Sequence, residues 1–175
     1  MSVLMHKPET LVDVYRLLPE GTPIQVINNQ CYISPSPNFQ HFDVLDKIAD
    51  ALKEEIKKEN PGRIFFAPLD VFLGTTNAIQ PDIFFISNAN KTFIKEDGIY
   101  GAPDLIVEVL SPSNKNTDLI KKKAVYEQFG VKEYFIVDPS DKSVLGYYLK
   151  DGKYAEPKKQ KAKLTSKILS KTFSF

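Results

Sequence analysis

PDIFFIS at residues 81–87 and APDLIVEVLSPSNKNTDLIKKKAVYEQFGVKEYFIVD at residues 102–138 decide how this chain is read. They contain three apolar runs short enough to be buried strands, and two of these carry a carboxylate where a core would take Val or Ile. In DLIVEVL, alternation puts Leu105, Val107 and Val109 on one face and Ile106, Glu108 and Leu110 on the other, so both faces are apolar and Glu108 lies among them. An ionised carboxylate is rarely buried without a cation or hydrogen-bond donors, so Glu108 requires a partner. The following segment offers one. With Thr117 as N-cap and Gly130 as stop, the inward stripe of a helix is Leu119, Tyr126 and Phe129, and of the three adjacent lysines only Lys122 falls on it. The alternative is that Lys122 snorkels round the helix edge, and pattern alone does not separate the two.

Working outward, Thr10 caps a short helix with Leu11, Val14, Tyr15 and Leu18 on one side, and TPIQVI and QCYISP flank Asn28-Asn29 as a hairpin. Asn38 caps a long helix in which Phe42, Leu45, Ala49, Leu52 and Ile56 repeat at helical spacing. RIFFAPLDVFLG reads as one extended stretch with Pro68 at an edge or bulge, followed by a turn over 74–78. Residues 88–101 form a polar link. VLGYYLK and KYAEP, joined by Asp151-Gly152, form a closing hairpin, and KLTSKILSKTFSF is a candidate edge strand. The order helix, three strands, helix, strand gives an α/β fold: a central mixed β-sheet flanked by helices, with small terminal hairpins. Strands 81–87 and 104–110 are expected to pair antiparallel, and a right-handed crossover makes 104–110 and 133–138 parallel. At 175 residues the chain reads as one domain, 1–175.

A net charge of +1 makes no global demand for a nucleic-acid partner, and Arg16 and Arg63 are the only arginines beside 21 lysines. Lysine suits phosphate contact better than base reading. No apolar run is long enough for a membrane span, the N-terminus lacks the apolar core of a secretory signal, and a cytoplasmic location is expected. The lone Cys31 excludes an internal disulfide and a thiolate metal cluster.

Antiparallel pairing would bring Asp82 beside Glu108 and leave Asp104 roughly 13 Å further along the strand. Two adjoining carboxylates repel, and a divalent cation removes the conflict. Oxygen ligands favour Mg²⁺ or Mn²⁺, and Lys122 would then complete a phosphodiester-hydrolysing site. His41 reads as a packing or surface residue, and Ser111 and Ser113 as loop and cap residues.

These same residues, QPDIFFIS, GAPDLIVEVLSPS and DLIKKKAVYEQFGVKEYFIVDP, resemble the Uma-two family of endonucleases, within the restriction-endonuclease-like superfamily bearing the PD-(D/E)xK motif. The resemblance runs from about Leu17 to the C-terminus. It implies an α-β-β-β-α-β core, a divalent metal, DNA as substrate and a homodimer. The motif's acids match Asp82 and Glu108. Its lysine, expected two residues after the second acid, is replaced by Leu110, and the resemblance places it at Lys122, four residues before Tyr126. Asp104 and Asp118 match recurrent positions, Asp118 at i−4 from Lys122. Two positions depart from the pattern: a Glu of the N-terminal hairpin is Gln25, and a histidine soon after Pro-Ser-Pro falls at Phe39. Gln25 removes one ligand charge and opens a second reading, a nuclease fold kept for DNA binding or assembly without turnover. A third is an interaction protein in which the Glu108–Lys122 pair serves only the fold.

Overall fold

The computed structural model describes residues 7–34, 36–111 and 117–175, the side chains of 117 and 118 excepted. The expectations for Asp118 and Ser113, and for a Thr117 side-chain cap, therefore lie outside the described residues.

The central sheet is built where the apolar runs predict it. In chain order its first members are β1 (Gly62–Phe66), β2 (Ile83–Ser87), β3 (Leu105–Val109) and β4 (Glu133–Asp138). They are followed by β5 (Ser143–Lys150), β6 (Lys153–Tyr154) and β7 (Lys158–Lys161). The spatial order is β6-β5-β4-β3-β2-β1, with β7 pairing the other half of β5. β3 and β4 are parallel, as a helical crossover requires, and β2 runs antiparallel to β3. Asp151 and Gly152 take the left-handed φ values of 52° and 76° that the tight β5–β6 turn needs.

Period-two alternation sorts the two faces. Ile83, Phe85, Leu105, Val107, Phe135 and Val137 point toward α2 (Phe39–Glu59), which buries Val44, Ile48, Ala49, Leu52 and Ile56 against them. Phe84, Ile86, Ile106, Tyr134 and Ile136 point to the other side, toward Val125 and Tyr126 of α3 (Lys123–Phe129). A second sheet closes that side. It is formed by 24–27, 30–33, 71–73, 77–79, 94–95 and 98–100, and its Ile27, Val71, Leu73, Ile79 and Ile99 join the same core. Asn28 and Asn29, at φ 51° and 56°, turn the 24–27/30–33 hairpin as read.

Several expectations are corrected. RIFFAPLDVFLG is not one extended stretch: a cis Ala67–Pro68 bond lies between β1 in the central sheet and 71–73 in the second. The turn expected over 74–78 is shorter, because 77–79 is itself a strand. The polar link holds a 3₁₀ segment (Asn88–Phe93) and two short strands. The C-terminal residues form a separate hairpin, β8 (Lys163–Ser166) and β9 (Lys171–Ser174), rather than an edge strand. It docks through Leu164 and Phe173, and through Glu133, whose carboxylate accepts from the Ser166 hydroxyl and the Lys167 and Ile168 amides. Burial pushes the Glu133 carboxyl above its usual range despite these donors.

Along α2 the inward stripe is centred on Val44, Ile48 and Leu52, and Phe42 is 56% exposed because the first turn of the helix overhangs the sheet. The N-terminal helix α1 (Leu11–Tyr15) has the expected Thr10 cap, completed by Asp13 as a capping box, but it buries Val12 and leaves Val14 43% exposed. In the lysine segment a π-helical turn (Thr117–Lys122) precedes α3. The wider turn alters the angular register, so Val125 is buried rather than sharing an outer face with Lys121.

Candidate active site

The pairing register decides which carboxylates meet. Ile83 lies opposite Val107 and Phe84 opposite Ile106, so Asp82, one residue before β2 begins, is level with Glu108 near the end of β3. One oxygen of Asp82 accepts the Val109 N–H at 2.7 Å and lies 3.1 Å from Nε2 of His41. Glu108 projects from the face that α3 covers. Its Oε1 accepts from Lys122 Nζ at 2.9 Å and from the Tyr126 hydroxyl at 2.8 Å. Glu108 and Lys122 are 2% and 3% exposed. The stripe assignment for Lys122 is therefore borne out and the snorkelling alternative is not, whereas Lys121 is exposed and sits against Tyr32.

Burial does not seal these groups. Asp82, Glu108 and Lys122 line a cleft of about 420 Å³ walled by the first turns of α2, by Gln25 and Ser34 of the first hairpin, and by the Ala67–Pro68 turn. Gln25 belongs to this wall. Its carbonyl accepts the Gln80 N–H at 3.0 Å and its amide donates to Ser34 Oγ, so the side chain braces the hairpin against the segment leading to Asp82.

Asp104 is not brought to the cleft. At the opposite end of β3 it accepts from the Ser87 N–H, from Asn90 and from Lys132 Nζ at 2.6 Å. Its own burial acts to raise the Asp104 pKa, but the Lys132 ammonium and the Ser87 and Asn90 donors outweigh it and hold the carboxyl below its ordinary 3.8. A folded-state value below the unfolded one gives stability that is present above about pH 4 and lost as pH falls through the folded value. Asp104→Asn is therefore expected to be less stable than wild type at neutral pH, and the difference should shrink below pH 4. Urea denaturation across pH measures this, and a pH-independent difference would refute it.

His41 is the functional neighbour that sequence reasoning missed. A usable signal existed: His41, Val44 and Ile48 are spaced i, i+3, i+7 on the inward stripe, directly after the Asn38 cap. Centring the stripe on Phe42 hid it. Phe39, assigned to the histidine position by resemblance, is 82% exposed.

A mixed sheet with acids level on adjacent strands, and an ammonium brought in from the next helix, makes this a restriction-endonuclease-like fold. The chain belongs to the Uma2 family, whose model, described as "Putative restriction endonuclease", matches residues 11–174. It is also similar to a crystal structure described as "a putative nuclease" from Anabaena variabilis ATCC 29413. That likeness has 21% identity and a TM-score of 0.77 and covers 93% of this chain and 92% of the other, so it concerns the fold. No curated protein matches the chain.

Proposed function

We propose that the protein is a metal-dependent endonuclease that hydrolyses DNA phosphodiester bonds, with Asp82 and Glu108 as metal ligands and Lys122 as the catalytic ammonium. The observation that carries this reading is the Glu108–Lys122–Tyr126 cluster: a buried charged pair that nevertheless reaches a cleft shared with a second carboxylate. The donor set fits a hard cation. Among the described residues no three Asp, Glu, His or Cys side chains converge to enclose an ion. Two carboxylates with water and phosphate oxygens filling the remaining positions is, however, the usual arrangement for Mg²⁺, and Mn²⁺ accepts the same oxygens. Such an ion, when bound, would neutralise charge on the phosphate and favour ionisation of water.

The chain's own residues do the rest. The Val109 amide and His41 fix the Asp82 carboxylate, and Tyr126 holds Glu108 from behind. Lys122 places positive charge where the phosphoryl oxygens gain negative charge. Water oxygen adds to phosphorus, the bond to the leaving ester oxygen breaks, and the proton lost by water balances the one gained by the leaving oxygen. The open edge of strand 30–33, where Ile33 is 78% exposed, supports a homodimer.

A second reading, a nuclease fold used for DNA binding with weak turnover, is favoured by Gln25, which stands in the cleft wall without a negative charge. Plasmid nicking in Mn²⁺ tests the choice. The wild type is expected to nick, chelation to stop it, and Glu108→Gln to be inactive; equal nicking by wild type and variant would remove the assignment.

A further inference from the structure

The cleft has the wrong charge and the wrong walls for a duplex. Among its described lining residues Lys122 is the single lysine or arginine, and it is engaged by Glu108. Duplex binders hold many phosphates with many cations. The acids are also recessed: the Asp82 side chain is 19% exposed and that of Glu108 2%. A stiff double helix, with a persistence length of about 150 base pairs, does not bend a phosphodiester into so confined a floor.

The rim supplies something else. Phe39 and Phe42 are spaced i, i+3 at the start of α2, so they share one face of the helix. They are 82% and 56% exposed, and Phe42 lines the cleft. Exposed aromatic rings beside a phosphate-handling site are how sequence-tolerant single-strand binders hold unpaired bases.

We infer that the substrate is a single-stranded or locally unpaired nucleic acid, whose base stacks on Phe42, with Phe39 extending the platform, while its phosphate enters the cleft toward Asp82 and Lys122. This rests on the nuclease reading for the chemistry of the site, but its recognition element is separate from the acids.

Fluorescence anisotropy of the full chain in EDTA tests it, using a labelled oligonucleotide of about 12 nucleotides, single-stranded or annealed to its complement. The single strand is expected to bind at least about tenfold tighter than the duplex. Phe42→Ala is expected to weaken single-strand binding by about tenfold or more, and Phe42→Tyr to restore it. Because Phe42 is exposed, the alanine variant should keep the wild-type fold, which circular dichroism checks. Equal or tighter duplex binding, or a Phe42→Ala variant that binds like wild type, overturns the inference. So does a wild-type dimer that Phe42→Ala converts to monomer with oligonucleotide affinity unmoved, since the rings would then belong to a protein contact. The two readings fail separately. Glu108-dependent cleavage of duplex with no single-strand preference keeps the nuclease and removes this substrate; ring-dependent single-strand binding without cleavage does the reverse.

Discussion

Lys122→Met is expected to cost the fold about 3–5 kcal/mol, a large share of the stability of a single domain. The ammonium is 3% exposed and lies 2.9 Å from a carboxylate that is itself 2% exposed. Removing it leaves a buried negative charge with its strongest compensation gone. The cost reports that stranded charge rather than the worth of the pair. The double variant Glu108→Gln, Lys122→Met, which removes both charges, is accordingly expected to lie closer to wild type than the single one. Urea denaturation of the three proteins decides it. A loss under about 1 kcal/mol for Lys122→Met would mean that the ammonium behaves as a solvated surface charge, and the site as described would not exist.

Mn²⁺ is expected to stabilise the wild type by mass action, by about 2.7 kcal/mol at a hundred times its dissociation constant. Asp82→Asn should abolish this gain and lower nicking by about a hundred- to a thousandfold, because it removes one of two ligand charges. His41→Ala leaves the Val109 amide holding Asp82 and should weaken Mn²⁺ binding by about ten- to a hundredfold, the usual effect of losing an outer contact to a ligand. Gln25→Glu is expected to act in the opposite direction. It adds a carboxylate to the cleft wall and should tighten the ion while lowering stability in EDTA. Thermal unfolding with and without Mn²⁺ reads all four proteins. A closed ion pair with no metal role predicts no Mn²⁺ shift in any of them, and that result would end the metal assignment.

The central sheet was legible because β2, β3 and β4 carry uninterrupted apolar runs with a helical segment between the last two, and few topologies accommodate that order. The second sheet was not. Its strands are two to four residues long, too short for alternation to register, and Pro68 looked like a bulge within one strand when it lies between strands of two sheets. In the site, the Asp82–Glu108 adjacency followed from antiparallel pairing, and Lys122 from its place on the inward stripe. His41 was lost because the strongest hydrophobe in the first turn of α2, Phe42, was assumed to face inward, although a helix end that overhangs the sheet has nothing to bury it against. Gln25 was legible only as a departure from a pattern. Its hydrogen bonds to Gln80 and Ser34 depend on contacts between segments far apart in the chain.

The π-helical entry to α3 has a further consequence. Because the amine arrives from a helix, position 110 is released from chemistry, and Leu110 is 7% exposed within the apolar core. Two duties that a strand-borne lysine would merge, filling the interior and handling a proton or a phosphate, fall here on separate pieces of chain. Residues of the sheet can drift under selection for packing while the helix drifts under selection for reactivity. A search keyed to two-residue spacing along the strand would pass this protein by.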